Sequence, residues 1–117
     1  MQKKLQPTIK SAEGKLGILM PGLGAVATTM IAGVEAIKKG LAEPVGSLTQ
    51  MGKIRLGKRN ENRIADIKSI LPISELNKIV FGGWDIFTDN AYEAAKRAQV
   101  LDATLIEKLR PELEKVV

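Results

Sequence analysis

Short apolar runs and stretches of helical spacing alternate along the N-terminal half of the chain. Lys15–Met20 is an apolar run bounded by turn residues, which predicts a buried strand. Apolar side chains then recur every three or four residues across Ala25–Lys39, which predicts an amphipathic helix that ends at Gly40. Val45–Gln50 is a weak strand candidate, and Lys53–Leu56 is a further short extended candidate.

The C-terminal half continues the alternation. Isoleucines and a leucine share one side of residues 60–71, which predicts a helix that Pro72 stops. Lys78–Gly83 predicts a second well-supported strand. Asn90 is followed three residues later by a glutamate, the spacing of a capping box, so a helix is expected to begin there. Residues 105–113 predict a final helix, which its internal proline is expected to kink or restart.

Strands that alternate with helices predict an α/β architecture with a mostly parallel sheet and right-handed crossovers. Residues 1–14 are polar, and we expect a flexible N-terminal arm. Residues 15–117 are expected to form one domain or part of a larger one, and two well-supported strands with two weak ones are few for a self-sufficient doubly wound sheet. The sheet is therefore predicted to be partial.

The composition limits the kinds of catalytic group and metal site that the chain can form. Aromatic residues make up 3% of the chain, so the core is expected to be aliphatic, and the sequence contains no cysteine and no histidine. The first absence excludes disulfides, thiolate metal sites and a cysteine nucleophile. The second removes the commonest metal ligand and the commonest acid–base group near neutral pH. We therefore expect no metal site, and any chemistry needs other side chains or a bound cofactor.

The formal charge of +5 is dispersed except for one denser basic stretch. Its members are Lys53, Arg55, Lys58, Arg59 and Arg63. These residues are interpreted as a solvated face or loop, with attraction of phosphate as the alternative for individual members. No aromatic residues interleave with them, so stacking on nucleic-acid bases is unsupported and no nucleic-acid partner is expected.

An uncharged stretch at Leu16–Val34 raises the alternatives of a membrane span and an export signal. The length is just sufficient for a spanning helix. Pro21 and the glycines after it interrupt the stretch, and charges follow it at once. A cleavage site at Ala25–Ala27 would leave an apolar region of little more than Leu16–Met20, which is short for a signal peptide. We expect a cytoplasmic protein without a membrane partner.

The candidate chemistry lies between the first strand and the first helix. Gly22-x-Gly24-x-x-Ala27 is the Gly/Gly/Ala form of the dinucleotide-binding motif. A glycine turn at that point places backbone N–H groups beside the positive end of a helix dipole, which suits a pyrophosphate. The alternative is a purely structural bend.

The motif also calls for an acidic residue about twenty positions further on. Glu43 is close in count, but it precedes the weak strand. Asp85 is the better candidate, because it follows the end of the second strand, at the edge where ligands of open α/β sheets bind. The alternative for Asp85 is a loop residue in an Asx-turn or a helix cap.

Several further motifs occur in a fixed order along the chain. They are Gly22–Val26, Gly46–Gln50, Ile54–Gly57, Ser69–Pro72, Val80–Ile86, Arg97–Asp102 and Leu109–Pro111. Together they closely resemble the N-terminal region of inositol-3-phosphate synthase, also called myo-inositol-1-phosphate synthase. The resemblance runs from about Lys15 to the last residue.

The resemblance implies a Rossmann-like, NAD(P)-binding, three-layer fold, of which this chain is the first part. Members of that family use NAD to isomerise D-glucose 6-phosphate to 1L-myo-inositol 3-phosphate by oxidation, aldol cyclisation and reduction. They add a second domain that builds a homotetramer. By resemblance, the residues on the NAD pyrophosphate loop are Gly22, Leu23, Gly24, Ala25 and Val26. Asp85 falls on the acidic position that contacts the cofactor.

Family members are several times longer, and the lysines and aspartates assigned to the sugar phosphate and to proton transfer lie beyond Val117. We therefore expect cofactor binding and no catalytic residue in this chain, which alone should be inactive. One alternative is a non-catalytic nucleotide-binding or regulatory module with the same fold. Another is a basic nucleic-acid-binding domain that uses residues 53–63.

Overall fold

The computed structural model describes residues 8–10 and 12–116, so residues 1–7 and 11 of the expected arm lie outside the described residues. In chain order, the elements are β1 (Leu16–Pro21), α1 (Ala25–Lys38), α2 (Leu48–Met51), β2 (Lys53–Leu56), β3 (Arg63–Asp66), α3 (Ile67–Ile70), β4 (Ile79–Trp84), α4 (Ala91–Ala98), α5 (Ala103–Lys108) and α6 (Arg110–Leu113). Short 3-10 turns lie at Arg59–Glu61 and Leu76–Lys78.

The chain folds as two compact units. One combines Lys15–Pro44 with residues 75–116, and the other combines the described residues before Lys15 with Val45–Ser74. The first unit is discontinuous in sequence, because residues 45–74 leave it and the chain then returns. The division into an arm and a single domain over residues 15–117 stays a prediction.

A parallel pair of strands forms the centre of the discontinuous unit. β1 and β4 pair in register from Leu16 opposite Ile79 to Pro21 opposite Trp84. Parallel neighbours require a long crossover connection, and α1 follows β1 directly to begin it. The predicted α/β class, with a parallel strand pair and flanking helices, is confirmed. No helix in the described part of the chain is long and apolar enough to cross a membrane.

Helices cover one face of this strand pair. Ile79 and Phe81 of β4 belong to the same buried cluster as Ile31 of α1 and Leu109 and Leu113 near the C-terminus. The core is aliphatic apart from Phe81 and one tyrosine, as the composition predicted.

The opposite face of the strand pair is open. Leu19 is 70% exposed, and Trp84 and Val80 are 59% and 45% exposed. Side chains alternate along a strand, and the observed register places these three on one face. A parallel sheet normally has both faces covered, so this surface is unusual for its type.

Predictions for the discontinuous unit are largely confirmed. Both predicted strands and the helix α1 occur within one or two residues of the expected bounds. The Asn90 side chain caps α4 by accepting a hydrogen bond from the Glu93 N–H at 3.0 Å. The predicted final helix is divided into α5 and α6 near Leu109. Pro111 is accommodated in the first turn of α6, where backbone N–H groups have no intrahelical acceptor.

The other unit contains an antiparallel hairpin. β2 and β3 pair from Lys53 opposite Asp66 to Leu56 opposite Arg63, so the extended candidate at Lys53–Leu56 is confirmed. The strand predicted at Val45–Gln50 is wrong. A single helical turn, α2, begins there after Ser47, a residue type that favours the position before a helix.

The helix predicted over residues 60–71 is also wrong. Asn62 adopts a left-handed conformation with φ of 49°, which a continuous helix does not permit. Residues 63–66 pair instead with β2, and α3 is one turn long. The spacing of the isoleucines indicated a helix, but the long-range pairing of the hairpin overrides that local pattern.

Candidate functional site

The glycine turn lies between the end of β1 and the start of α1, as the sequence predicted. Gly22 has φ of 96°, in the left-handed region that favours glycine. Its N–H donates to the Trp84 carbonyl oxygen at 2.7 Å, which joins the turn to the end of β4. A Cβ added at Gly22 or Gly24 would meet no atom within 4 Å. The space around the turn is therefore open to a ligand.

The start of α1 presents uncapped backbone groups at this turn. Gly24 is the N-cap residue, no side chain caps the helix, and the first turn contains no acidic residue. The first N–H groups of a helix lack an intrahelical acceptor and carry partial positive charge. Ala25 and Val26 are the first two helical residues, and both are exposed. This arrangement is suited to an anion such as a phosphate group.

Close packing of Gly83 brings the end of β4 against the turn. A Cβ added at Gly83 would lie 2.6 Å from the Met20 carbonyl oxygen and 2.9 Å from Leu23 Cδ2. Neither neighbour leaves room for a side chain. The glycine pair that ends the second predicted strand thus allows the strand to approach the turn closely.

Asp85 follows β4 directly, and its carboxylate reaches the glycine turn. Oδ2 accepts a hydrogen bond from the Leu23 N–H at 2.8 Å. Oδ1 accepts a longer one from the Phe87 N–H at 3.4 Å, with the two-residue spacing of an Asx-turn. The Asp85 side chain therefore forms the Asx-turn that was considered as its structural role, and it also binds the glycine turn.

These hydrogen bonds favour the ionised form of Asp85. The Leu23 N–H lowers the pKa of the carboxyl below its ordinary value of 3.8, and the Phe87 N–H acts in the same direction. The positive charge of Arg97 lowers this pKa further, although more weakly. Asp85 therefore carries a negative charge at neutral pH.

A cleft of about 240 Å³ lies beside the turn. Its lining residues come from the turn, the end of β4 and the last turns of α4: Leu23, Gly24, Ala25, Asp85, Phe87, Ala94, Arg97 and Ala98. Four of the six predicted site residues line this cleft. Gly22 and Val26 do not, and the Val26 side chain is 86% exposed beside a separate apolar cavity of about 470 Å³.

Arg97 is a cleft residue that was not among the site residues predicted from the sequence. Its guanidinium lies 5.1 Å from the centre of the Phe87 ring and forms an ion pair with Asp89. The sequence contains two adjacent cations in the last turn of α4, Lys96 and Arg97, and no local pattern distinguishes them. Only the packing of α4 against α1 places Arg97 in the cleft.

The basic stretch lies on and around the hairpin of the other unit, where all five side chains are exposed. Lys53 lies 3.9 Å from Asp66, and Arg63 lies 3.9 Å from Glu61. Exposed pairs at such distances contribute little to stability. The exposure agrees with the interpretation of these residues as a solvated face.

Comparisons with known proteins identify similar chains. A family model of an NAD-binding domain, described as myo-inositol-1-phosphate synthase, matches residues 16–117. Inositol-3-phosphate synthase 1 of Bacteroides thetaiotaomicron is 50% identical over 113 residues, which cover 96% of this chain and 26% of that protein. Inositol-3-phosphate synthase isozyme 1 of Arabidopsis thaliana is 43% identical over 115 residues, which cover 88% of this chain and 22% of that protein.

A solved structure agrees with these relatives. The crystal structure of inositol-3-phosphate synthase from Caenorhabditis elegans matches with a TM-score of 0.72 and 31% identity, covering 86% of this chain and 22% of that one. The chain spans about a quarter of the length of the curated relatives that it matches.

Proposed function

The chain belongs to the myo-inositol-1-phosphate synthase family, and on that premise we propose that it forms part of the NAD-binding domain of an inositol-3-phosphate synthase. The contact between the glycine turn and Asp85 carries the proposal. It joins an uncapped helix start, suited to a pyrophosphate, to an acidic side chain suited to a ribose hydroxyl.

Each predicted site residue has a role in this proposal. The N–H groups of Gly24, Ala25 and Val26 would hold the pyrophosphate, and Gly22 keeps the approach to the turn free of a side chain. The Leu23 N–H holds Asp85 in place. Asp85 Oδ1, whose hydrogen bond from the Phe87 N–H is long, would accept a hydrogen bond from a ribose hydroxyl. Bound NAD would supply the acceptor and donor of hydride.

We further propose that the whole enzyme isomerises glucose 6-phosphate to inositol 3-phosphate, as a tetramer in the cytoplasm. In this proposal the residues that bind the sugar phosphate and move its protons belong to the three quarters of the relatives that this chain does not match. Turnover by this chain with glucose 6-phosphate and NAD tests that placement.

Substitution of glycines with positive φ tests cofactor binding. Gly22→Ala forces an alanine into the left-handed region at the turn, and Gly40→Ala does the same at the end of α1. Each change should cost about 1–2 kcal/mol of stability. We expect Gly22→Ala to weaken NAD binding about tenfold or more, whereas Gly40→Ala should leave it within about twofold.

Isothermal titration calorimetry of both variants and the unaltered chain with NAD, ADP and AMP gives the measurement. Equal losses of NAD affinity in the two variants would contradict a role for the turn. Tighter binding of AMP or ADP than of NAD would favour the non-catalytic nucleotide-binding module.

A further inference from the structure

Arg97 places a cation in the same cleft as the Asp85 carboxylate. Two residues of the loop between β4 and α4 hold its guanidinium: Asp89 forms an ion pair with it, and the Phe87 ring lies 5.1 Å away. The Arg97 side chain lines the cleft and is 53% exposed, whereas Asp89, which is 27% exposed, contacts Arg97 without lining the cleft itself.

The two charged groups that line this cleft have opposite consequences for nucleotide choice. NADP differs from NAD by a phosphate on the 2′-hydroxyl of the adenosine ribose. In Rossmann-type folds, a carboxylate near that hydroxyl favours NAD, whereas a nearby arginine accommodates the 2′-phosphate. Asp85 and Arg97 present both groups in one cleft.

We propose that Asp89 sets the nucleotide selectivity of this site by neutralising Arg97, so that the charge of Asp85 governs the ribose position and the cleft rejects a 2′-phosphate. Asp89 is a positioning residue in this account, because it acts through Arg97. The inference rests on the proposed binding of NAD at the glycine turn.

The charges of the cleft support this assignment. Asp85 and Asp89 contribute two negative charges and Arg97 one positive charge, so the group is negative while Asp89 is ionised. The bond from the Leu23 N–H holds the Asp85 carboxylate at the edge of the turn. Removal of the Asp89 charge frees the guanidinium, which binds phosphate through a planar fork of donors.

Titration of the full chain with NAD and with NADP tests the proposal. The unaltered chain should bind NAD more tightly than NADP. In Asp89→Asn, NADP affinity should rise about tenfold, and NAD affinity should stay within about twofold. The double variant Asp89→Asn/Arg97→Gln should lose that gain, because the freed cation is gone.

Glu114→Gln is a matched control outside the cleft. Glu114 forms an ion pair with Arg110, and Arg110 lies 4.9 Å from the centre of the Tyr92 ring, the same arrangement as at Asp89 and Arg97. This control should leave the ratio of NAD to NADP affinity unchanged. Where circular dichroism shows that Asp89→Asn does not fold, Asp89→Ser takes its place.

An unchanged affinity ratio in Asp89→Asn, with NAD still bound, would overturn the role of Asp89 and leave the proposed function intact. If NADP affinity rose as much in the double variant as in Asp89→Asn, the role of Arg97 would be overturned. Absence of NAD binding to the unaltered chain would remove the proposed function and this inference together, and the first titration reveals it.

Discussion

Asp85 contacts the glycine turn although 62 residues separate it from Leu23 in the sequence. The position of Asp85 at the end of a strand was predictable from the apolar run before it. Its bond to the Leu23 N–H was not, because that contact depends on the register between β1 and β4. Arg97 illustrates the same limit, since no pattern within α4 reveals which neighbouring element its side chain meets.

The lowered pKa of Asp85 predicts a pH-dependent contribution to stability. A carboxyl whose pKa is lower in the folded chain stabilises it above the ordinary value of 3.8 and loses that effect as the pH falls through the folded-state pKa. Asp85→Asn should therefore be less stable than the unaltered chain at pH 7, and the difference should shrink as the pH falls below 3.8.

Urea unfolding at pH 7, 5 and 3 measures this difference. Glu43→Gln is the control, since Glu43 is an exposed acidic residue of the same unit. A difference for Asp85→Asn that persists undiminished at pH 3 would show that the charge of Asp85 is not its source.

At the scale of elements, the first helix, α1, has a buried inner face and an N-terminus without a side-chain cap. α1 spans 14 residues and its inner face is buried, but Gly24 offers it no side-chain cap. A serine, threonine, asparagine or aspartate is the usual residue at such a position. The absence of a capping side chain keeps the first amide groups available to a ligand.

Gly24→Asp should therefore stabilise α1 and weaken NAD binding. Gly24 has φ of −88°, so a side chain is tolerated there, and a carboxylate at a helix start contributes about 0.3–1 kcal/mol. The same carboxylate would occupy the amides and repel the pyrophosphate, so the affinity for NAD should fall by about tenfold or more.

Gly33→Ala, in the exposed interior of α1, provides the comparison. It should stabilise the helix by about 0.5–1 kcal/mol through helix propensity alone, without any effect on NAD binding. Thermal unfolding and calorimetry on both variants separate the two effects. Undiminished NAD affinity in Gly24→Asp would place the pyrophosphate away from this helix start.

Prediction of elements succeeded where local pattern and long-range packing agree. The strands β1 and β4 and the helix α1 were predictable because each combines an apolar period with turn residues at its ends. Residues 60–71 were mispredicted because the isoleucine spacing is compatible with a helix, whereas the pairing of β3 with β2 is set by residues outside that window. Asn62 gave no recognisable warning, although asparagine is among the residues that tolerate a left-handed conformation.

At the scale of the whole molecule, the open face of the β1–β4 pair is the main departure from a complete parallel sheet. Leu19 is 70% exposed on that face, whereas Ile79 and Phe81 are buried on the other. The sequence predicted a partial sheet from the small number of strands. It did not predict which face would be covered, because that depends on how α1, α4 and α6 pack together.

The proposed placement of the catalytic residues outside this chain predicts that the chain has no turnover by itself. Incubated with glucose 6-phosphate and NAD, it should form no inositol phosphate, because it spans about a quarter of its relatives' length. Chromatography of the products measures this, with the Bacteroides thetaiotaomicron relative as the positive control. Product above the buffer control would show that the catalytic groups lie within residues 1–117.

The discontinuous unit also imposes an order of events during synthesis. The hairpin unit is complete once Ser74 has left the ribosome. The Leu23 amide meets its acceptor only after Asp85 has emerged, and Asp85 follows Leu23 by 62 residues. At about 5–20 residues per second, that interval lasts about 3–12 s. Through that time β1 has no parallel neighbour, so the glycine turn cannot reach its final form before β4 and Asp85 have emerged.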